Sequence, residues 1–261
     1  MKNLILIKLG GSVITDKDKP FVVRLSVISR LAGEINKAKS KLKNTDFIIG
    51  HGSGSFGHTV AAKYQVQKGN INKDSTRGFC LTSEAAVDIN RIVLKELLRV
   101  DLPVVSFSPL SFSYKNTIFL KPLEMALELG FVPLVYGDIL FDAVSGFKIH
   151  SAEKTLTLLA WQLFKKYGKV KIIEAGDTGG VYDGKGKTIP EINLRNFAGI
   201  KKWVLGSRKT DVTGGMLHKV RESLALAKKY RIPTVIINGN KKGNLIKAIL
   251  GKKVISTRIT D

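Results

Sequence analysis

Cysteine is almost missing from this chain: among 261 residues only Cys80 carries a thiol, so no internal disulfide can staple the fold. That excludes the small oxidised scaffolds and favours a reducing compartment. Long apolar runs are missing too, since nothing approaches the roughly 18 to 20 continuous residues of a membrane span. The opening Leu4 to Ile7 is broken by Lys8 and runs into Gly10-Gly11-Ser12 without a signal-peptide cleavage pattern. Together these features predict a cytoplasmic protein with no membrane partner. Acidic residues are scarce: 21 Asp and Glu face 43 Lys and Arg, giving a net charge of +22. The imbalance is uneven, with 20 basic and 13 acidic residues up to position 150 but 23 and 8 beyond it. The second half is therefore where an anionic ligand is electrostatically favoured. Most of the excess, including Lys165-Lys166, Lys201-Lys202, Lys241-Lys242 and Lys252-Lys253, reads as solvated surface beside turns and helix ends.

What is present is enough apolar material, 44%, for a substantial core, which excludes a disordered chain. Short β-branched runs alternate with stretches of helical period, the pattern of an α/β fold with a largely parallel sheet. Strands are predicted at Leu4 to Leu9, Asp46 to Gly50, Pro103 to Phe107, Val132 to Tyr136, Val170 to Ala175 and Thr234 to Asn238. Between them, Leu25, Ile28, Leu31 and Ile35, then Ala86, Ile89, Val93 and Leu97, then Met216, Val220, Leu224 and Ala227 each draw one apolar helix face. Gly137 to Ser151 reads as a β-hairpin inserted between parallel elements. No repeat or linker divides the chain, so residues 1–261 are expected to form one domain with two lobes, about 1–168 and about 169–261.

Three predicted strands run into glycine-rich turns: Ile7-Lys8-Leu9-Gly10-Gly11-Ser12, Ile49-Gly50-His51-Gly52-Ser53-Gly54-Ser55-Phe56-Gly57-His58, and Glu174-Ala175-Gly176-Asp177-Thr178-Gly179-Gly180-Val181. Glycines at a strand's C-terminal end let backbone N–H groups approach phosphate oxygens, and a following helix N-terminus adds partial positive charge. Two common phosphate motifs fail here. Gly52 to Gly57 fits the spacing G-x-G-x-x-G, but no second strand ending in an acid follows about 20 residues on. Gly186-Lys187-Thr188 resembles the end of a P-loop, yet Val181 stands where its first glycine is required. A different phosphate-binding architecture is needed.

Lys8 to Ser12, together with Asp211-Val212-Thr213-Gly214-Gly215-Met216, resembles the amino acid kinase superfamily. Within it, Gly52 to His58 followed by Lys63-Tyr64 is similar to the isopentenyl phosphate kinases, with further matches at Thr15-Asp16-Lys17, Val105 to Pro109, Gly137-Asp138-Ile139 and Lys219. The likeness spans nearly the whole chain, and His58 at the end of the glycine loop is its most specific element. It implies a three-layer αβα sandwich with a mainly parallel central sheet, assembled as a homodimer. The acceptor would bind the N-terminal lobe and ATP, with Mg2+, the C-terminal lobe, where the positive charge concentrates. The implied reaction moves the γ-phosphoryl group of ATP to isopentenyl phosphate.

By that resemblance, Lys8 lies between donor and acceptor phosphates, Lys17 and Lys219 stabilise phosphate charge, and Gly10, Gly11, Gly54 and Gly214 donate backbone N–H bonds. His58 is expected to hydrogen-bond the acceptor phosphate as an imidazolium, because an adjacent anion favours the charged ring. Ser53, Gly54, Gly57 and Ala152 complete the implied acceptor contacts, and Ser12, Asp177, Thr178, Gly180 and Val181 the nucleotide contacts. Asp16, Asp138 and Glu153 are expected to orient the lysines. The helix from Phe79 to Leu98 is expected to wall the hydrocarbon tail with Phe79, Ala86 and Val87. His51, His150 and His218 read as structural, with no partners at metal-ligand spacing and no protein metal site expected.

The chain departs from the family pattern at three places. Ser151-Ala152-Glu153 replaces Ser-Gly-Asp, Gly179 stands in place of an acid, and Ser53 replaces a glycine. Two alternatives remain at this point. One is a kinase for another small phosphate or phosphonate, such as fosfomycin. The other is a nucleic-acid-binding or regulatory protein on a kinase fold, against which stands the lack of a recognition-helix signature or a basic run interleaved with aromatics.

Overall fold

The computed structural model describes residues 1–115, 117–205 and 215–261. Its centre is an eight-stranded sheet in the spatial order Glu191–Ile192, Ser256–Ile259, Thr234–Asn238, Val170–Gly176, Asn3–Leu9, Thr45–His51, Val132–Tyr136, Val104–Ser106. All neighbours pair in parallel except Thr234–Asn238 with Ser256–Ile259, so two short strands at one edge run against the rest. The six strands predicted from sequence are all present, Val132–Tyr136 and Thr234–Asn238 with the same bounds. The two reversed edge strands and a small hairpin of Ser113–Tyr114 with Thr117–Ile118 are additions to that reading. The predicted insertion is a hairpin of Asp138–Asp142 and Gly146–His150.

Alternation along each strand divides the core into layers, because successive side chains point to opposite faces. In Asn3–Leu9, Ile5, Ile7 and Leu9 pack with the helices Leu25–Lys41, Ser75–Leu98 and Asn244–Ile249. Leu4 and Leu6 pack on the other side, with the helices Lys121–Glu128 and Ala152–Leu163. Helices thus cover both faces, as a parallel sheet with near-continuous apolar strands requires. Among the described residues no helix is long and apolar enough to cross a membrane. The lysine pairs read as surface are exposed.

Candidate active site

Five adjacent strands reach glycine at the same sheet edge, and the ladder continues through the turns. Gly10 N–H donates to Ala175 O at 2.9 Å, Gly52 N–H to Leu9 O at 3.1 Å, Gly137 N–H to His51 O at 3.0 Å and Gly239 N–H to Gly176 O at 2.7 Å. This is the carboxyl edge, where ligands of open α/β sheets bind. Gly239 was not singled out in the sequence, because it stands alone in its turn, and Gly137 was read only as the start of the hairpin and of the match Gly137-Asp138-Ile139.

The first two glycine turns pack as one unit. A Cβ on Gly11 would lie 2.6 Å from Gly54 N, and one on Gly54, whose φ is +54°, would lie 2.1 Å from Thr15 Oγ1. That hydroxyl accepts from Ser55 N–H at 3.0 Å and donates to Gly11 O at 2.8 Å. These glycines therefore permit chain-to-chain contact as well as any approach of a ligand. Gly57 needs its hydrogen for Ser53, whose Oγ would be 2.4 Å from an added Cβ. Ser12 lies in the short turn Gly11–Ile14 between them, and His58 projects exposed from the helix Gly54–Lys63.

Behind these turns stands a cluster of opposite charges. Lys8 shares the sheet face of Leu4 and Leu6, so it replaces the next apolar contact of that row and points at the start of the helix Ala152–Leu163. Ser151 caps that helix by accepting Lys154 N–H at 3.2 Å, which sets Glu153 in the first turn, where the helix dipole favours a carboxylate. Glu153 Oε2 accepts a hydrogen bond from Lys8 Nζ and lies 3.8 Å from Lys219 Nζ. Lys219 comes from the helix Gly215–Tyr230 and is 3.0 Å from Oε2 of Glu174, a residue read in the sequence only as the start of the third glycine turn, with no role of its own. Burial opposes charge on Glu153, but the ammoniums of Lys8 and Lys219 outweigh it and hold its pKa below the ordinary value. Glu222, on the turn beyond Lys219, is shifted the other way: burial raises its pKa against the pull of His218, which it meets at 3.1 Å.

The third glycine turn is tied to the first turn and to two strands of the sheet. Lys17 reaches over from the first turn to pair with Asp177. Asn238 Nδ2 donates to Asp177 O at 3.1 Å, and Thr178 Oγ1 to Gly180 O at 3.0 Å. Val181 N–H donates to Thr257 Oγ1 at 2.8 Å, so this turn hangs on an edge strand that the sequence did not reveal. Gly214, and the stretch 206–214 that holds most of the second quoted motif, lie outside the described residues.

Two of the carboxylates expected to orient the lysines make local contacts in their own turns. Asp16 Oδ1 accepts Asp18 N–H at 3.0 Å in its own turn. Asp138 Oδ1 accepts Ile139 N–H at 2.8 Å, and its carboxyl is buried on the hairpin, where desolvation raises its pKa to about 6. Among the described residues, the carboxylates Glu153, Glu174 and Asp177 meet the three lysines. Ala152, the expected acceptor contact, is buried as the first residue of its helix. His51 is structural as read: buried, with Nε2 3.1 Å from Asn90 Oδ1 and Nδ1 3.2 Å from Gly52 O, its pKa lowered by burial against those two bonds.

Beside His58 lies an apolar group formed by Ala61, Val66, Ile139 and Phe147 with Tyr64, Phe79 and Ile149. The helix carrying Phe79 begins at Ser75, one turn earlier than the periodicity gave. Its ring stacks on Phe141 at 5.1 Å and meets Phe147 edge-on at 5.3 Å. Phe79 thus bridges the helix to the hairpin, while Ala86 is buried and Val87 half-buried further along.

A mainly parallel sheet with glycine turns at its carboxyl edge, and two ammoniums held by one buried and one half-buried carboxylate, is the build of an anion-handling α/β enzyme. The chain belongs to the amino acid kinase family, whose sequence profile matches residues 3–238. It is 33% identical to the isopentenyl phosphate kinase of Methanocaldococcus jannaschii over 258 residues, 95% of this chain and 96% of that protein. It is 34% identical to the isopentenyl phosphate kinase of Methanothermobacter thermautotrophicus, with 98% and 99% covered. A solved structure of an isopentenyl phosphate kinase superposes with a TM-score of 0.77 at 32% identity, covering 98% of this chain and all of the other. A carbamate kinase from Giardia lamblia, at 12% identity and a TM-score of 0.68, shares the fold alone.

Proposed function

We propose that the protein transfers the γ-phosphoryl group of ATP to isopentenyl phosphate, giving isopentenyl diphosphate and ADP. The observation that carries this reading is the Lys8–Glu153–Lys219 cluster at the carboxyl edge, flanked by glycine turns on both sides. Near-full-length identity to two isopentenyl phosphate kinases supports the choice of acceptor. In this reading an oxygen of the acceptor phosphate attacks Pγ, the bond from Pγ to the βγ-bridging oxygen breaks, and ADP leaves with that electron pair. A phosphate oxygen is already a nucleophile near neutral pH, so positioning and charge neutralisation dominate. Lys8 would hold the transferring group and Lys219 the donor phosphates, with Lys17 closing from the first turn through Asp177. His58, exposed at the mouth, would take the acceptor phosphate with Ser53, Gly54 and Gly57, while Ser12, Thr178, Gly180 and Val181 would border the nucleotide.

Mg2+ in this reading belongs to the ATP phosphates, since such ions keep waters and use substrate oxygens rather than an all-protein cage. Among the described residues no three His, Cys, Asp or Glu side chains gather as metal ligands. The lobe division near residue 168, a homodimer and a cytoplasmic setting are parts of the same proposal. Light scattering tests the dimer, which should give twice the 28.6 kDa of one chain. The reading itself is tested by ADP release with isopentenyl phosphate, methyl phosphate and fosfomycin as acceptors. Isopentenyl phosphate should give the highest kcat/KM, and a higher value for fosfomycin would reject the acceptor assignment.

A further inference from the structure

We propose that Glu174 is a positioning residue of the transfer site, fixing Lys219 beside Lys8 so that each ammonium has its own carboxylate. This rests on the phosphoryl-transfer reading above. Glu174 stands directly opposite Lys8 in the parallel register of their two strands, so both side chains leave the sheet on the same face. On its own strand it follows Ile172 in the row that packs the core, and it is only 4% exposed. A charge that deep persists only with a cation against it. The cation is Lys219, 3.0 Å away.

The division of partners is uneven. Glu153 Oε2 is hydrogen-bonded to Lys8 and stands 3.8 Å from Lys219, beyond hydrogen-bond reach. Glu174 holds Lys219 at the shorter distance. A lysine stem has four rotatable carbons, and its ammonium goes where a partner fixes it. Without the Glu174 charge, Lys219 turns to Glu153, which Lys8 already occupies. Two ammoniums on one carboxylate repel each other, and one leaves the place where the phosphates meet. Glu174 touches neither phosphate in this account; it acts through Lys219.

That route makes a double-mutant cycle decisive. The four proteins are wild type, Glu174→Gln, Lys219→Met and the double variant, assayed with ATP and isopentenyl phosphate. Glu174→Gln keeps the shape and removes the charge. It should lower kcat about tenfold or more with both KM values within about threefold, the mark of an interaction made in the transition state. In the Lys219→Met background the same change should cost nothing further. An unchanged kcat for folded Glu174→Gln, or losses that multiply in the double variant, would overturn the proposal. If wild type transfers nothing to isopentenyl phosphate, the functional reading fails instead, and the cycle is read on binding of the ATP analogue AMP-PNP by calorimetry. There Glu174→Gln should change affinity by no more than about threefold and only where Lys219 is present, and no change at all, or an equal change in both backgrounds, refutes the positioning role.

Discussion

Asp138→Asn should change how stability depends on pH, in a direction and size set by the hairpin. Asp138 is 4% exposed, and desolvation, outweighing hydrogen bonds from the Ile139 N–H and the Ser83 side chain, raises its pKa from 3.8 to about 6. A carboxyl whose pKa is raised by folding favours the native state when protonated. Its contribution is complete below about pH 3.8 and is lost as pH rises toward 6. A shift of roughly two units corresponds to about 3 kcal/mol. His150, opposite Asp138 in the hairpin register, works the other way. Burial, then repulsion from Lys154 and Lys148, lowers its pKa to about 4, so its contribution is present above pH 6.5 and lost as pH falls toward 4. The two nearly cancel in wild type, which hides both. In the variant the His150 contribution remains and the Asp138 contribution is gone. The asparagine amide adds an offset that does not vary with pH, so the quantity to read is the difference between the two proteins. Urea unfolding at intervals from pH 4 to 7 should show the variant gaining about 3 kcal/mol on wild type across that range. A difference constant to within about 1 kcal/mol would mean that Asp138 ionises as freely folded as unfolded, and the desolvation argument would be wrong.

Lys8→Met should lower kcat by about 100-fold or more with small changes in KM, because charge builds on the transferring oxygens only in the transition state; wild-type single-turnover rates in a folded variant would make Lys8 structural. His58→Ala should instead raise the KM for the acceptor, not for ATP, with kcat/KM lower by about 10- to 100-fold for a lost charged hydrogen bond. Unchanged acceptor kinetics remove His58 from the site. Phe79→Ala takes away the ring that stacks on Phe141 and meets Phe147 edge-on, and should raise the kcat/KM of a ten-carbon phosphate relative to the five-carbon one. An unchanged ratio in a folded variant makes Phe79 a packing residue only.

The strands were legible where an apolar, β-branched run is long enough to pack on both faces, as in Val132–Tyr136. Glu191–Ile192 and Ser256–Ile259 were not, since two to four residues at an edge carry no periodicity and owe their state to pairing. Lys8 stood out because a charge interrupts an apolar strand. The same signal marks Glu174 after Ile172-Ile173, and only the register shows that the two belong together. Glu153 was reachable through the motif before its helix, whereas for Asp138 and Asp16 nearness to a glycine turn does not say which way a carboxylate points, and both accept a neighbouring backbone N–H. The interlock of Gly11 with Gly54 depends on residues more than forty apart, and nothing local encodes it.

The central claim is that this carboxyl edge moves a phosphoryl group onto another phosphate. 31P NMR of the purified protein with Mg-ATP and isopentenyl phosphate tests it directly. The monophosphate resonance should be replaced by two coupled diphosphate resonances, with one ATP converted to ADP for each monophosphate consumed. ATP turning to ADP and inorganic phosphate with the monophosphate resonance intact, or no change in any resonance, would contradict the claim.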